Sequence, residues 1–355
     1  PQSCSGNVFS KSYIWDSHRH VLGENLRALS DAADFTLEQS PLFAGTPDRP
    51  ALVLESVHSL KKAVAGRPIP GFPDAASLLR ETHPDMVSIV VPTQLHEEVA
   101  LQCIAAGANL LVEKPIAANL EAAQRIAAAA EQARVVLTIG HIERFNPAIQ
   151  ELKRRLESGQ GGPVLQVRAR RVGPFPHRIR DVGVIHDLGP HDIDIMRYLL
   201  GDEIERVYAE SRSHIATGNE DMFAGLVRFR GGAMGTLDIN WLTPTKERSL
   251  TVLCEKGMFV VDYAAQSLAF YENFDAAARE GRYASVTEGP MTRYPIPNRE
   301  PLRVELEAFR DAVLAGGPAP VSAHDGMTAL AVAEALVRSG ETGMPVQVQE
   351  VTSAS

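Results

Sequence analysis

The chain is poor in cysteine. Its 355 residues include three, Cys4, Cys103 and Cys254, an odd number spread far apart. They form neither a disulfide framework nor metal-ligand spacing, so no metal site is expected and a reducing cytoplasm is the expected home. Long apolar runs are missing too. None approaches the ~18 residues that a membrane span needs, and no charged-then-apolar signal segment opens the chain. Basic charge is in deficit: 35 Lys and Arg stand against 44 Asp and Glu, a formal net charge of −9. That excludes a general binder of nucleic acid or anionic membrane, although local Arg clusters survive an acidic total. There is no internal repeat and no long low-complexity tract. What remains is globular in composition, 45% hydrophobic and 22% charged. The length exceeds one ordinary core, so two domains are expected.

The clearest pattern starts at Met86. Met86–Val91 is an apolar run of strand length broken by Ser88, as expected of a strand buried on both faces. A helix over His96–Ala106, a strand over Ala108–Val112, a helix over Leu120–Ala133 and a strand over Val135–Ile139 follow. Such alternation with short connections means βαβ units and a parallel sheet. Upstream, Ser12–Trp15 is mildly β-prone, Gly23–Leu29 reads as helix, Phe35–Leu37 as a second strand and Val57–Val64 as a short helix. Asp74 can cap a helix over Ala75–Glu81. Ligands of parallel sheets lie beyond the carboxyl ends of the strands, and Thr93, Lys114 and His141 stand there.

A boundary near Ile142–Pro147 precedes a different pattern. Asn146–Leu156 reads as a helix, and Val164–Val172 alternates like a half-buried strand. Ala224–Phe229 and Met234–Ile239 flank Gly231-Gly232, a hairpin signal. Leu250–Cys254 and Met258–Asp262 form a second hairpin, and Val304–Leu314 and Ala329–Val337 are closing helices. The expected architecture is therefore α/β. A parallel-sheet domain spans 1–142, its first 60 residues atypical. An α/β domain with a largely antiparallel open sheet spans 143–318, and a closing helix and tail span 319–355.

Two places carry chemistry. Asp181–Gly201 reads DVGVIHDLGPHDIDIMRYLLG. A helix over Ile185–Leu200 sets Asp187 and His191 one turn apart on one face. A carboxylate beside an imidazole favours the charged His and fixes its tautomer, which makes a usable general base for a hydroxyl proton. Ile193, Ile195, Met196, Leu199 and Leu200 form the face to bury, and Gly201 is placed to end the helix. An isolated pair of this kind is more often an ion pair on a solvated helix. Lys114 ends a buried strand and precedes a Pro that fixes the turn. Its ammonium can polarise a substrate oxygen, though alone it equally describes a solvated loop charge.

Together, V-E-K-P at Val112–Pro115, P-T-x-x-H at Pro92–His96 and the D-x-x-x-H helix resemble the glucose–fructose oxidoreductase / inositol dehydrogenase / MocA family, over about Phe72–Val346. The resemblance implies a Rossmann domain that binds NAD or NADP and a second domain that binds a sugar or cyclitol. It implies that His191 takes the hydroxyl proton and Asp187 orients it. Lys114 would bridge substrate and nicotinamide ribose while hydride passes to the nicotinamide. Residues matched to the cofactor are Gly23, Pro92, Thr93, His96, Glu113, Lys114 and Arg144. Those matched to the substrate are Lys114, Asn146, Arg171, Arg178 and His191.

His141–Ile149 and Arg171–Leu199 narrow the resemblance to members that oxidise the 3-hydroxyl of UDP-N-acetylglucosamine. Arg168, Arg170, Arg171, Arg178 and Arg180 suit a nucleotide-sugar diphosphate. On a strand Arg168 and Arg170 share one face and Arg171 the other, so only some of them reach a ligand. The resemblance also implies a homodimer or homotetramer through the second domain's sheet, with Ala224–Ile239 and Leu250–Asp262 as the surface.

The chain departs from the family at its start. The G-x-G-x-x-G loop that lets backbone approach a pyrophosphate is replaced by His18-Arg19-His20-Val21-Leu22-Gly23, in which the third glycine alone survives. The acidic residue expected after the second strand has Asp48 as a weak substitute, so NAD and NADP both stay open. Three functions are carried forward: a nucleotide-sugar dehydrogenase, a free-sugar or cyclitol dehydrogenase, and a non-catalytic sensor on the same fold.

Overall fold

A computed structural model describes residues 12–16, 51–54, 71–72, 74–176, 182–215, 218–273 and 288–351. The chain divides into two compact units. The first takes in residues up to Gly140 together with Glu305–Met327, and the second takes in His141–Val304 and Thr328–Val351. Glu305–Met327 thus groups with the parallel sheet.

The first unit is a parallel sheet of six strands: β1 (Ser12–Asp16), β2 (Ala51–Leu54), β3 (Gly71–Phe72), β4 (Met86–Val90), β5 (Asn109–Glu113) and β6 (Leu137–Gly140). Their order is β3-β2-β1-β4-β5-β6, which reverses direction between β1 and β4. That order is the doubly wound Rossmann arrangement. Ile89, Leu110, Leu111, Val112 and Ile139 are buried in β4–β6, the burial that a sheet covered on both faces demands. The helices are α1 (Ala75–Thr82), α2 (His96–Ala105) and α3 (Leu120–Ala133). Asp74 caps α1 by accepting from Ser77 N at 2.7 Å, and Asn119 caps α3 by accepting from Ala122 N at 2.9 Å. Each cap contributes about 1 kcal/mol. Asn109 fastens the sheet at its base, donating to Asp85 O and accepting from Val136 N at 2.9 and 2.8 Å. The segment from Glu305 joins this core because Phe309 finds Met86 and Leu111.

The second unit is a nine-stranded sheet. Its strands are β7 (Val164–Pro174), β8 (Ile204–Arg212), β9 (Met222–Phe229), β10 (Met234–Asn240), β11 (Leu242–Cys254), β12 (Gly257–Asp262), β13 (Ser267–Glu272), β14 (Met291–Tyr294) and β15 (Val346–Gln347). The order is β14-β13-β12-β11-β7-β10-β9-β8-β15, antiparallel throughout except for the parallel pair β7–β10. Strands β8, β13, β14 and β15 go beyond the sequence reading. One face buries α4 (Pro147–Glu157) and α5 (Val184–Leu200), with Ile149, Leu152, Ile193, Met196 and Leu199 packed on Val167, Val227, Leu237, Leu250 and Val252. The other face is open, as β9 records by alternating exposed and buried residues along its length. Gly201 ends α5 with φ 60°, the left-handed cap that glycine takes without strain. The two closing helices are α6 (Pro301–Ala315) and α7 (Ala323–Thr342). Among the described residues no helix is long and apolar enough to cross a membrane.

Candidate active site

In the first unit the carboxyl ends of β4, β5 and β6 carry the candidate residues. Val91 is buried, Pro92 and Thr93 are half-buried, and Thr93–Leu95 makes a single 3-10 turn into α2. Glu113 and Lys114 are half-buried where β5 ends, and the Lys114–Pro115 peptide is cis. Gly140 ends β6 directly beside Glu113: a Cβ there would lie 3.0 Å from Glu113 Oε2. The edge therefore presents half-buried polar groups above a dry sheet, at the side where the strand order reverses. That is the arrangement a dinucleotide requires.

His96 is expected at the cofactor, but the structure gives it another task. It is 1% exposed, with Nδ1 2.9 Å from Pro115 O and Nε2 3.0 Å from Val91 O. A neutral ring donates to one of these two carbonyls and packs its other nitrogen against the second, so His96 sits between the β4 loop and the β5 loop beside Thr93 and Lys114. Burial pulls its pKa down, which favours the neutral ring. Gly23 lies outside the described residues.

The second unit confirms the helix over Asp187 and His191, and both side chains are half-buried on α5. Glu220 organises the helix start: its backbone carbonyl accepts from Val184 N and its carboxylate from Ile185 N, at 2.9 and 3.0 Å. His186, which the sequence reading passed over, has its pKa lowered by burial, with Glu220 opposing.

The other two aspartates of α5 are committed elsewhere. Asp192 takes a two-pronged bond from Arg171, Nε–Oδ2 2.7 Å and Nη2–Oδ1 3.1 Å, and Arg171 Nη1 reaches Glu143 Oε1 at 2.9 Å. Asp194 takes the same kind of bond from Arg144, at 2.8 and 2.6 Å.

Three residues expected at ligands are bonded within the protein. Arg171 is 2% exposed and its guanidinium is filled by Asp192 and Glu143, so it does not offer a fork to a diphosphate. Burial opposes its charge, but Asp192 and Glu143 override burial and raise its pKa. Arg144 is paired with Asp194 and lies over the Tyr198 ring. Asn146 is 2% exposed; it caps α4 by accepting from Ala148 N and donates to Tyr263 O, each at 3.1 Å. Arg178 and Arg180 lie outside the described residues. Arg170 is on the open face of the sheet, held by Asp238 and Glu247.

Two residues were missed. Arg248 sits on β11 directly across from Arg171 on β7. Its signal was available: it shares the inward phase of Leu250 and Val252 on one strand. Glu305 is 2% exposed on α6, and neither carboxylate oxygen has a hydrogen-bond partner among the described residues. Burial, with Glu113 adding to it, raises its pKa well above the ordinary range. Its signal was a Glu in the phase of Phe309 and Ala312 on an amphipathic helix.

A cleft of about 300 Å³ lined by Lys153, Leu156, Glu157, Leu199, Leu200 and Gly231, among others, lies at the far end of α5 from Asp187 and His191. Cys103 and Cys254 are buried free thiols, pushed up to about 12 and about 11 by burial, which leaves them inert.

Residues 49–141 match the profile described as "Oxidoreductase family, NAD-binding Rossmann fold", and residues 149–260 match "GFO/IDH/MocA C-terminal domain". The chain belongs to the Gfo/Idh/MocA family of oxidoreductases. Among its Gfo/Idh/MocA relatives is UDP-N-acetylglucosamine 3-dehydrogenase of Acidithiobacillus ferrooxidans, 32% identical over 266 residues, 74% of this chain and 80% of that protein. The solved structure of that enzyme, GnnA, has a TM-score of 0.77 at 25% identity and covers 93% of this chain and 97% of its own. Myo-inositol 2-dehydrogenase of Thermotoga maritima is 28% identical over 290 residues, 79% of this chain and 84% of that protein. The protein is thus an NAD-binding oxidoreductase whose relatives are dehydrogenases acting on sugar and cyclitol hydroxyls.

Proposed function

We propose that this protein oxidises the 3-hydroxyl of a UDP-N-acetylhexosamine such as UDP-N-acetylglucosamine, with NAD as the oxidant. The observation that carries the reading is the one-turn spacing of two half-buried polar side chains, Asp187 and His191, on α5. The 32% identity to the Acidithiobacillus enzyme supports the choice of sugar.

Bound NAD supplies the hydride acceptor. Pro92, Thr93, Glu113 and Lys114, at the carboxyl edge of the parallel sheet, would hold it, with Gly23 as the remnant of the glycine loop. His191 accepts the proton of the hydroxyl oxygen as the carbon's hydrogen leaves with its electron pair, so a carbinol becomes a ketone. Asp187 orients the imidazole and stabilises its protonated form. Lys114, at the carboxyl edge of the parallel sheet, carries an ammonium of the kind that polarises a substrate oxygen. The free thiols suit a reducing cytoplasm. The open sheet face, where Met222, Leu226 and Met234 stand exposed, is the proposed contact between subunits.

The test is reduced-nicotinamide absorbance with NAD or NADP and a panel of UDP-N-acetylglucosamine, glucose and myo-inositol. We expect turnover of the UDP-sugar, and we expect His191→Ala and Lys114→Met each to lower kcat by about 10²–10⁴-fold. Thermal stabilisation by NAD should survive in His191→Ala. Turnover confined to glucose or myo-inositol replaces the substrate with a neutral sugar or cyclitol. Stabilisation by NAD with no turnover of any sugar favours the sensor reading.

A further inference from the structure

We propose that Arg248 is the substrate's anion receptor: a guanidinium held open beside the Asp187–His191 pair to take a phosphoryl or carboxylate group carried by the sugar. The proposal rests on the reading of that pair as the dehydrogenase site, and it names a residue that replaces Arg171 in the diphosphate role.

Three observations carry it. The first is placement. Arg248 of β11 is paired in register with Arg171 of β7, so both side chains leave the sheet on the same face. That face is the one α5 covers, because Arg171 reaches Asp192 on α5.

The second is the absence of a partner. Arg248 is half-buried, yet its guanidinium makes no hydrogen bond or ion pair among the described residues. Two of the carboxylates that act on it, Asp192 and Glu143, are hydrogen-bonded to Arg171 instead. Two like charges directly opposite across a strand pair oppose folding. Among the described residues the guanidinium is therefore half-buried with no hydrogen-bonded carboxylate of its own.

The third is proximity to the chemistry. Burial and Arg171 push the pKa of Arg248 down, while Glu143, Asp192 and Asp187 pull it back up. The geometric link is Asp192, which holds the guanidinium of Arg171 and directly follows His191 on α5. A sugar with one hydroxyl on His191 carries its other substituents two or three ring carbons away. A phosphoryl on C1 of a sugar oxidised at C3 fits, and so does a C6 carboxylate. A neutral cyclitol offers nothing for the fork to hold.

The experiment compares Arg248→Met and Arg248→Lys with wild type on UDP-N-acetylglucosamine, N-acetylglucosamine 1-phosphate, glucuronate and myo-inositol. Steady-state kinetics are paired with calorimetric binding of each sugar in the NAD-loaded protein. Arg248→Met should raise KM and Kd for the anionic sugars about 100-fold, which is ~2.7 kcal/mol. It should leave kcat within threefold and the KM for NAD unmoved. Arg248→Lys, which keeps the charge and loses the fork, should fold as wild type and lose about tenfold. Loss confined to the phosphoryl sugars assigns the anion as phosphoryl, and loss confined to glucuronate assigns it as carboxylate.

Equal loss for myo-inositol and the anionic sugars, or no loss for any in either variant, overturns the proposal. If wild type reduces no NAD with any sugar, the dehydrogenase reading has failed. Anion binding that still depends on Arg248 then stands as a separate result. Wild type that binds no anionic sugar overturns the Arg248 proposal as well.

Discussion

The two units bury charge in opposite ways. In the second, Arg171 is wrapped by carboxylates from two neighbouring elements: Asp192 of α5 and Glu143 of the turn before α4. In the first, Glu305 is equally buried and neither of its oxygens finds a hydrogen bond among the described residues. An interior can tolerate an ionisable group by pairing it or by keeping it neutral. The second unit pairs; the first neutralises, with Glu113 reinforcing burial in holding the proton on Glu305. Pairing gives rigid geometry at any ordinary pH. Neutralisation gives a group whose state, and whose cost, depends on pH.

The largest effect should come from breaking the pair. Arg171→Met removes the cation and leaves Asp192 and Glu143 buried without their partner. The expected loss is about 3–5 kcal/mol, read as a drop in the urea midpoint with unchanged slope. Because Asp192 is on α5 one residue from His191, kcat should fall as well. A variant as stable as wild type would show that water can replace the guanidinium and that the network is not a rigid frame.

Glu305→Gln sharpens the other side of the comparison and acts through pH. The folded pKa of Glu305 is raised above its unfolded value, so between the two values the native state holds a proton that the unfolded chain has released. Stability therefore falls as pH rises through that window, from the ordinary carboxyl range near pH 4.3 upward, by up to about 1.4 kcal/mol per pH unit. Gln cannot ionise, so the variant should lack this slope and be the more stable protein at neutral pH. Parallel stability–pH curves for the two proteins would mean that Glu305 carries its charge in the fold and has a partner.

The alternation of buried strands and helices after Met86 was legible because parallel strands covered on both faces leave unbroken apolar runs such as those of β4 and β5. The α5 helix was legible from its i, i+4 spacing and from Gly201. Strand β8 was not, since Ile204–Arg212 carries four charged residues among nine and its inward positions number few. The family itself was legible from its motif residues. Which arginine the carboxylates fill was not, because Arg171 and Arg248 are equivalent by composition and differ in which carboxylates hydrogen-bond to them. Nor did spacing reveal that Asn146, His96 and Arg144 serve as cap, brace and clamp: the same side chains can bind a ligand or the chain's own backbone, and only three-dimensional neighbours decide. The assignment of α6 was missed because its buried stripe names no partner; Phe309 could have packed on either sheet.

The smallest effect, and the finest probe of the comparison, belongs to Arg170, the residue next to Arg171 in sequence and opposite to it in facing. Arg170 pairs with Asp238 at 3.0 Å and Glu247 at 2.5 Å, but its side chain is 46% exposed and those of its partners are 53% and 43% exposed. Water solvates all three, so Arg170→Ala should cost no more than about 1 kcal/mol, and less in high salt. The same face carries Met222, Leu226 and Met234 in the open. If subunits meet there, the three charges are dehydrated in the assembly and the ordinary surface rule no longer holds. Arg170→Ala would then shift the concentration at which the oligomer dissociates, measured by light scattering across a dilution series, while barely moving the urea midpoint of the dissociated chain. Unchanged dissociation at every salt concentration would place any subunit contact elsewhere on the molecule.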